Sequence, residues 1–444
     1  MQSEVRDVGT VLDWMRGTRQ LIASDDPRVK SLAMKKFGLA SDGDWNAKKS
    51  KLLQEIDESM RDAQQHATTS IGSGIPPHAK PYIPAEEFSA TFQSAMAEHL
   101  NDRLTTSSLA TTAAAPAPYG PPEKFDSGDL GWIVVLFARL EEKAEGKHVF
   151  VHSNDPTTFR YFLPSTCRIA LFADWATGEP PAMNIKKAIE DRSPDYTIHL
   201  GDTYYAGFED EIRHNLIACW PGQVQYGKSF ALCGNHEMYS GGNAYFDLLP
   251  LFGQSASFLN LGNQWWKFIG LDTSWCERGG DAPASSWGEL QELQLPWLKA
   301  QIADATSTNP SAKIILLTHH QLFSAFDGDA LGQRLKEQLG AMLTDGSIYG
   351  WFWGHEHRCI VYGNAAPYTF KARCIGHGGF PCPPCTESPS NASRYPIRWR
   401  EERCEPSNAW YGMRGFVLLT VQDSEIKIEY VDQTGATQYT EVWS

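Results

Sequence analysis

Five times in this chain a short apolar run ends and a metal-type ligand follows at once. The places read Ala173-Asp174-Trp175, Gly201-Asp202-Thr203-Tyr204-Tyr205, Gly234-Asn235-His236-Glu237, Thr318-His319-His320 and Gly354-His355-Glu356-His357. The preceding runs, at 168–172, 196–200, 229–232, 313–317 and 349–353, are rich in β-branched and aromatic residues and predict strands, as does 266–271. Helical patterns at 185–190, 289–302 and 330–343 alternate with them, which predicts an α/β fold. Open α/β sheets place their ligands at such strand ends. One Asp or His after a strand is ordinarily a cap or a satisfied hydrogen-bonding residue. Here all five ends carry Asp, Asn or His, and three of those are preceded by Gly, so the ends constrain one another.

The donor types suit two cations. A shared carboxylate lowers the repulsion between the metals, while imidazoles, an amide oxygen and a second carboxylate complete two open shells. Glycine before a ligand lets the backbone turn sharply and come close to the metals. His355 and His357, two residues apart, face the same way if the segment is extended.

Before residue 104 the texture is helical, with Leu52, Ile56, Met60 and Ala63 on one stripe and Phe88, Phe92, Met96 and Leu100 on another. A Thr/Ala/Pro-rich, charge-poor stretch follows and reads as a linker. The expected division is a helical region at 1–104, a linker at 105–124 and a larger domain at 125–444. Runs at 416–421 and 426–431 alternate like a closing hairpin, with Asp423, Ser424 and Glu425 in the turn region. An excess of 53 acidic over 39 basic residues disfavours extended nucleic acid as a partner. The longest apolar run, 132–138, is far short of the roughly 20 residues a spanning helix needs, so no membrane crossing is expected. Acids near Met1, with no apolar stretch behind them, predict no secretory signal and hence a cytoplasmic protein. Nine cysteines in a chain of 444 residues fit reduced thiols better than a disulfide framework. Cys374, Cys382, Cys385 and Cys404, with His377 nearby, leave open a small zinc site or a reduced or oxidisable loop. Most tryptophans read as packing, with Trp175 and Trp275 expected near the metals, and His199 reads as a buried, hydrogen-bonded strand residue.

Taken in order, Asp174, Gly-Asp202-x-x-Tyr205, Gly-Asn235-His236-Glu237, His319 and Gly-His355-x-His357 resemble the calcineurin-like metallophosphoesterase superfamily. The resemblance implies a four-layer α/β/β/α sandwich with a dinuclear site at the strand ends. In the commonest first motif a His stands two after the Asp, but here that place is Ala176. Purple acid phosphatases also lack this His and supply a tyrosinate three residues after the second Asp, where Tyr205 stands, so the chain resembles that branch on both counts. Ala173 and Ala176 depart from the glycines usual there, and Gln321 stands where relatives often have Pro.

Carried over, the resemblance implies Asp174, Tyr205 and His357 on one metal, Asn235, His319 and His355 on the other, and Asp202 bridging. A phenolate suits Fe(III), and the Asn/His/His side suits Zn(II), Fe(II) or Mn(II). The implied chemistry is attack of a metal-bound hydroxide on a small phosphorylated substrate. His236 would contact phosphate or protonate the leaving group, Glu237 would orient His236, and His320 would contact phosphate. A phosphomonoesterase is the first reading and a phosphodiesterase on cyclic nucleotides or other diesters the alternative. A non-catalytic scaffold would show broken ligands. The N-terminal helices would serve oligomerisation or a protein partner.

Overall fold

Successive residues of the central strands face different layers, and that alternation builds the fold. In the strand Thr166–Phe172, Ile169 and Leu171 enter one core while Ala170 and Phe172 enter another. In Lys313–Thr318, Ile315 and Leu317 join the first core and Ile314 and Leu316 a third. Strands buried on both faces read as continuous apolar runs, which is why they stand out in the sequence. The computed structural model describes residues 8–72, 124–125, 129–276, 288–326, 332–382, 388–406 and 408–444.

Numbered along the chain, the strands are β1 (Arg160–Phe162), β2 (Thr166–Phe172), β3 (Tyr196–His199), β4 (Ser229–Ala231), β5 (Leu259–Gly262), β6 (Trp266–Gly270), β7 (Lys313–Thr318) and β8 (Gly350–Trp353). There follow β9 (Cys359–Tyr362), β10 (Lys371–Ile375), β11 (Ile397–Arg400), β12 (Cys404–Glu405), β13 (Asn408–Gly412), β14 (Gly415–Gln422), β15 (Glu425–Asp432) and β16 (Thr437–Trp443). A six-stranded sheet has the order β16-β15-β14-β2-β3-β4, and an eight-stranded sheet the order β1-β5-β6-β7-β8-β10-β9-β11. Strands β2, β3 and β4 run parallel, as do β6, β7, β8 and β10.

The shared inner core joins Ile169, Leu171, Ile198 and Phe230 of the first sheet to Phe268, Ile315, Leu317 and Phe352 of the second. Each such fully buried side chain contributes about 1.5–3 kcal/mol before entropy is set against it. Outside the six-stranded sheet lies the helix Pro180–Arg192, opened by proline in its first turn and burying Ala182, Ile185, Ala188 and Ile189. Outside the eight-stranded sheet, the helix Gln294–Thr308 buries Trp297, Leu298, Ile302 and Ala305, the three-and-four spacing of one helical face. The result is the expected α/β/β/α sandwich. The hairpin β14–β15 pairs Gln422 with Glu425, so Glu425 belongs to the strand and the turn is Asp423-Ser424.

The chain divides into two compact units, and the break at Gly146 lies beyond the expected linker. The first unit holds the helices Val8–Ala23, Pro27–Lys36, Asp42–Gly72 and Ile133–Glu145. Residues 131–138 are buried throughout, so this apolar run belongs to the core of the helical unit and not to the sandwich. In Asp42–Gly72 the buried face is Leu52, Ile56, Ser59 and Ala63, with Met60 half-buried beside it. The stripe from Phe88 to Leu100 and the linker up to residue 123 lie outside the described residues. No helix among the described residues is long and apolar enough to cross a membrane.

Candidate metal centre

All five ligand motifs leave the C-terminal ends of parallel strands. Asp174, Asp202 and Asn235 follow β2, β3 and β4, while His319 and His355 follow β7 and β8. Asp174, Asp202, His355 and His357 have φ of 53°, 77°, 64° and 51°. Left-handed backbone costs a non-glycine residue about 1–3 kcal/mol and persists only where surroundings fix it. Here the Asp174 N–H donates to Gly201 O at 3.1 Å, and the Asp174 carbonyl accepts from Gly379 and Phe380 at 3.0 and 2.9 Å. The His355 N–H donates to Asp174 Oδ2 at 2.9 Å. Glu237 Oε2 accepts from the N–H groups of Asp202 at 3.1 Å and Gly234 at 2.8 Å, joining two ligand loops. Glycine is required where backbone meets carboxylate: a Cβ on Gly234 would lie 2.1 Å from Asp202 Oδ1, and one on Gly354 2.6 Å from Asp174 Oδ2.

The side chains converge in two groups. Asp174, Asp202 and His357 form one, and His319, His320 and His355 the other, with ligand atoms in each within 4.8 Å of one another. His357 Nε2 is 3.4 Å from Asp174 Oδ1. His319 Nε2 is 3.2 Å from Asp202 Oδ2, 2.9 Å from Asn235 Oδ1 and 3.2 Å from His355 Nδ1. His319 Nδ1 lies 3.0 Å from the Leu200 carbonyl, which can only accept, so Nδ1 carries a proton. A neutral His319 therefore turns a lone pair from Nε2 toward two oxygen acceptors. Such a meeting of acceptors is repulsive until a cation lies among them, and spacings near 3 Å are what neighbouring donors keep around an ion about 2.1 Å from each. The donor set thus fits metal. When His236 and His319 are instead protonated, their charge outweighs burial, which by itself would raise the Asp202 pKa, and holds the carboxylate ionised. Burial, then the charge of Asp202, pushes Glu237 up to about 7.

His236 Nδ1 lies 2.5 Å from the Tyr205 carbonyl, and Nε2 is 3.6 Å from Asp202 Oδ2. It is Tyr205, by this carbonyl, that orients His236. His320 Nδ1 lies 3.0 Å from Thr273 Oγ1 and 3.5 Å from Ser274 Oγ. Asp272 accepts from the N–H groups of Ser274 and Trp275, both at 2.9 Å, and so holds that turn.

Several expectations need correction. The phenol brought to the first group is that of Tyr204, not Tyr205: its oxygen is 3.2 Å from Asp174 Oδ1, 3.3 Å from Asp202 Oδ2 and 3.2 Å from His357 Nε2. Tyr204 is fully buried and Tyr205 half-buried. The reason is main-chain pairing, since the Tyr204 N–H donates to Ala176 O at 3.2 Å and stitches this residue to the loop leaving Asp174. Trp175 is a core residue, with its Nε1 donating to Ala182 O at 2.8 Å. Trp275 packs against two cores and donates to His148 O. His199 is buried among Phe172, Trp175 and Trp220, and its Nε2 has no hydrogen-bond partner among the described residues. Burial pushes its pKa down to about 3. The cysteines form no zinc site among the described residues: Cys374 Sγ donates to Arg358 O, Cys382 Sγ to Phe380 O, and Cys404 is disulfide-bonded. Cys385 lies outside the described residues. A disulfide at Cys404 argues against reduced thiols throughout and removes that support for a cytoplasmic setting.

Two groups of residues escaped the sequence reading. Asp272-Thr273-Ser274 is a further polar strand end, after β6, and would have been found by counting every such end. Gly376-His377-Gly378-Gly379-Phe380 follows β10 and wraps Asp174; its glycine density was the available signal.

Residues 167–359 match the family model described as calcineurin-like phosphoesterase. No curated protein matches the chain by sequence. Among solved structures, the chain is similar to the purple acid phosphatase PPD1 from yellow lupin seeds, at 17% identity and a TM-score of 0.45. That similarity covers 63% of this chain and 55% of the lupin protein, so the chain spans little more than half the lupin protein's length. Similarity to GAP50, the anchor in the inner membrane complex of Plasmodium, has 16% identity and a TM-score of 0.47, over 62% of this chain and 88% of that one.

Proposed function

This chain carries a calcineurin-like phosphoesterase domain, and from that premise we propose that it is a phosphoric monoester hydrolase with a dinuclear metal centre of the purple acid phosphatase kind. What supports the reading most is the convergence of Asp174, Tyr204 and His357 with Asn235, His319 and His355 around Asp202. In this reading the first trio would hold one cation, the second trio the other, and Asp202 would serve both. The hard phenolate of Tyr204 favours Fe(III) on its side, with Zn(II), Fe(II) or Mn(II) opposite. When bound, the metals supply an activated water and neutralise charge on the phosphoryl oxygens.

The chain's own groups complete the reaction. His236 donates its Nδ1 proton to the Tyr205 carbonyl, which leaves Nε2 to face the substrate. Protonated there, with Asp202 at 3.6 Å to favour the charged form, it gives that proton to the departing alkoxide. The oxygen of water bonds to phosphorus, the ester P–O bond breaks, and alcohol and phosphate result. His320, anchored by Thr273, would donate from Nε2 to a phosphate oxygen. The acidic balance of the chain disfavours extended nucleic acid, and the substrate in this reading is a small phosphorylated molecule.

The test is a rate comparison on nitrophenyl phosphate and bis-nitrophenyl phosphate, with metal titrated back after chelation. Monoester preference supports the proposal. Diester preference moves the chain to the phosphodiesterases, and no turnover with both metals bound favours a binding role.

A further inference from the structure

The two imidazoles best seen at the centre are held in different ways. His319 is fixed by the Leu200 carbonyl at Nδ1. The Nδ1 of His357 is buried and has no hydrogen-bond partner among the described residues. Metal-ligating histidines nearly always donate their second nitrogen to a carbonyl, carboxylate or water, which fixes the plane of the ring. Among the described residues no polar group meets that nitrogen, and what lies against the ring is aromatic.

The phenyl ring of Phe380 lies against it. Their centroids are 4.1 Å apart and their planes 26° from parallel. The same ring lies 4.6 Å from that of Tyr204, at 35°. The Phe380 N–H donates to the Asp174 carbonyl at 2.9 Å, and the Phe380 carbonyl accepts from Arg414 Nε at 3.1 Å. Arg414 is fully buried and paired with Glu405 at 3.0 Å, so the backbone carrying the phenyl ring is itself anchored. One residue therefore touches Asp174, Tyr204 and His357, the three donors gathered on one side of the centre.

We infer that Phe380 is a positioning residue of the metal centre, a flat clamp that holds the His357 imidazole and the Tyr204 phenol in their binding orientations. Rotating the imidazole about Cβ–Cγ turns its edge into the phenyl face, and swinging the phenol away forfeits the second contact. Stacking thus does for His357 what the Leu200 carbonyl does for His319. A branched aliphatic chain of similar bulk would fill the space without fixing either plane.

The inference rests on the metal-centre reading, and one experiment separates them. Metal-stripped full-length protein is titrated with Zn(II) against a chromogenic chelator, alongside Phe380→Leu and Phe380→Tyr, and the melting temperature of each metal-free protein is recorded. The expected result is one zinc affinity weakened about tenfold in Phe380→Leu and restored in Phe380→Tyr, with the other unchanged in both. A residue that only fills the core would lower the metal-free melting temperature and leave both affinities alone. Wild-type affinities in Phe380→Leu, with wild type binding two zinc ions, overturn the clamp. A wild-type chain that binds no zinc sinks the centre and the clamp with it. Should Phe380→Leu fail to fold, Phe380→Met, apolar and flexible, carries the same expectation.

Discussion

Gly234→Ala isolates the contact between a ligand loop and the bridging carboxylate. The φ of Gly234 is not in the left-handed region, so alanine brings no backbone strain and its effect is steric. The added Cβ would lie 2.1 Å from Asp202 Oδ1, 2.6 Å from Asp202 N and 2.9 Å from Asp202 Cγ. Ordinary contact begins at 3.4 Å, so the carboxylate must retreat by about 1.3 Å in a close-packed interior. It cannot do so freely, because Oδ1 accepts from the His236 N–H at 3.1 Å and Oδ2 faces His319 at 3.2 Å. Overpacking of this kind costs about 1–3 kcal/mol of stability, which a sandwich of this size tolerates. Function should suffer more: displacement by about 1 Å is enough to cost roughly a hundredfold in rate. The assay is hydrolysis of nitrophenyl phosphate by metal-reconstituted protein, with metal content and far-ultraviolet circular dichroism measured on the same samples. Gly43→Ala is the control, since its Cβ would meet only Ser41 Oγ at 3.4 Å in the first turn of a helix. It should leave activity unchanged and gain up to about 1 kcal/mol of stability. Wild-type rate and metal content in Gly234→Ala would show that the position of Asp202 does not govern the centre.

Asp202→Asn should keep the fold but lose turnover and weaken the second metal by at least about tenfold, as read by metal analysis after dialysis; full activity would end the dinuclear reading. With iron bound, Tyr204→Phe should bleach a tyrosinate-to-iron band that Tyr205→Phe leaves in place, and the opposite pattern would return the ligand role to Tyr205. Glu441→Gln should cost about 3–5 kcal/mol by chemical denaturation, because it leaves buried Arg373 without the bidentate partner it holds at 2.6 Å. Burial raises the Glu441 pKa, but hydrogen bonding to Arg373 outweighs it and sets the pKa below the usual value. The stability from this pair is therefore full above the unfolded carboxyl pKa and is lost as pH falls through the lower folded one. Burial pushes His377 down to about 4, so the unfolded chain binds the extra proton between that value and about 6.5. Stability should fall by about 3 kcal/mol on acidification through that window, and His377→Gln should flatten the fall; an equal slope in the variant would exclude His377 as its source.

What the sequence made legible follows from burial. Strands β2, β3, β4, β6, β7 and β8 are largely closed to water on both faces, so each reads as a mostly apolar run whose end is marked by a change to polar residues. Their predicted limits fall within two residues of those observed, as with 196–200 against Tyr196–His199. β9, Cys359–Tyr362, carries the same signature and was missed, as were strands that lack it. β11, Ile397–Arg400, sits at the sheet edge with two arginines among four residues, and β16, Thr437–Trp443, is exposed or half-buried up to its last residue. Nothing periodic operates in the loop between Asp202 and Ala206, so the choice between adjacent tyrosines could not be made by counting. Thr203 pairs with Ala176 and Tyr204 donates to the Ala176 carbonyl, and these long-range bonds turn Tyr204 toward Asp174.

The same contacts account for the departures from the usual first motif. A glycine would be expected at positions 173 and 176, yet the alanines there are fully buried, and Ala176 packs with Trp175 and Phe172 in the outer core. The room they take is returned from the other side. A Cβ on Gly354 would lie 2.8 Å from the Ala173 methyl, one on Gly378 would lie 2.3 Å from the Ala173 carbonyl, and one on Gly379 2.4 Å from the Trp175 carbonyl. Gly354 after β8 thus leaves room for the Ala173 methyl, while Gly378 and Gly379 after β10 let main chain lie against the main chain of the loop that follows β2. Close approach at the first carboxylate is a property of facing loops taken together. A motif read along a single loop sees only one side of that approach.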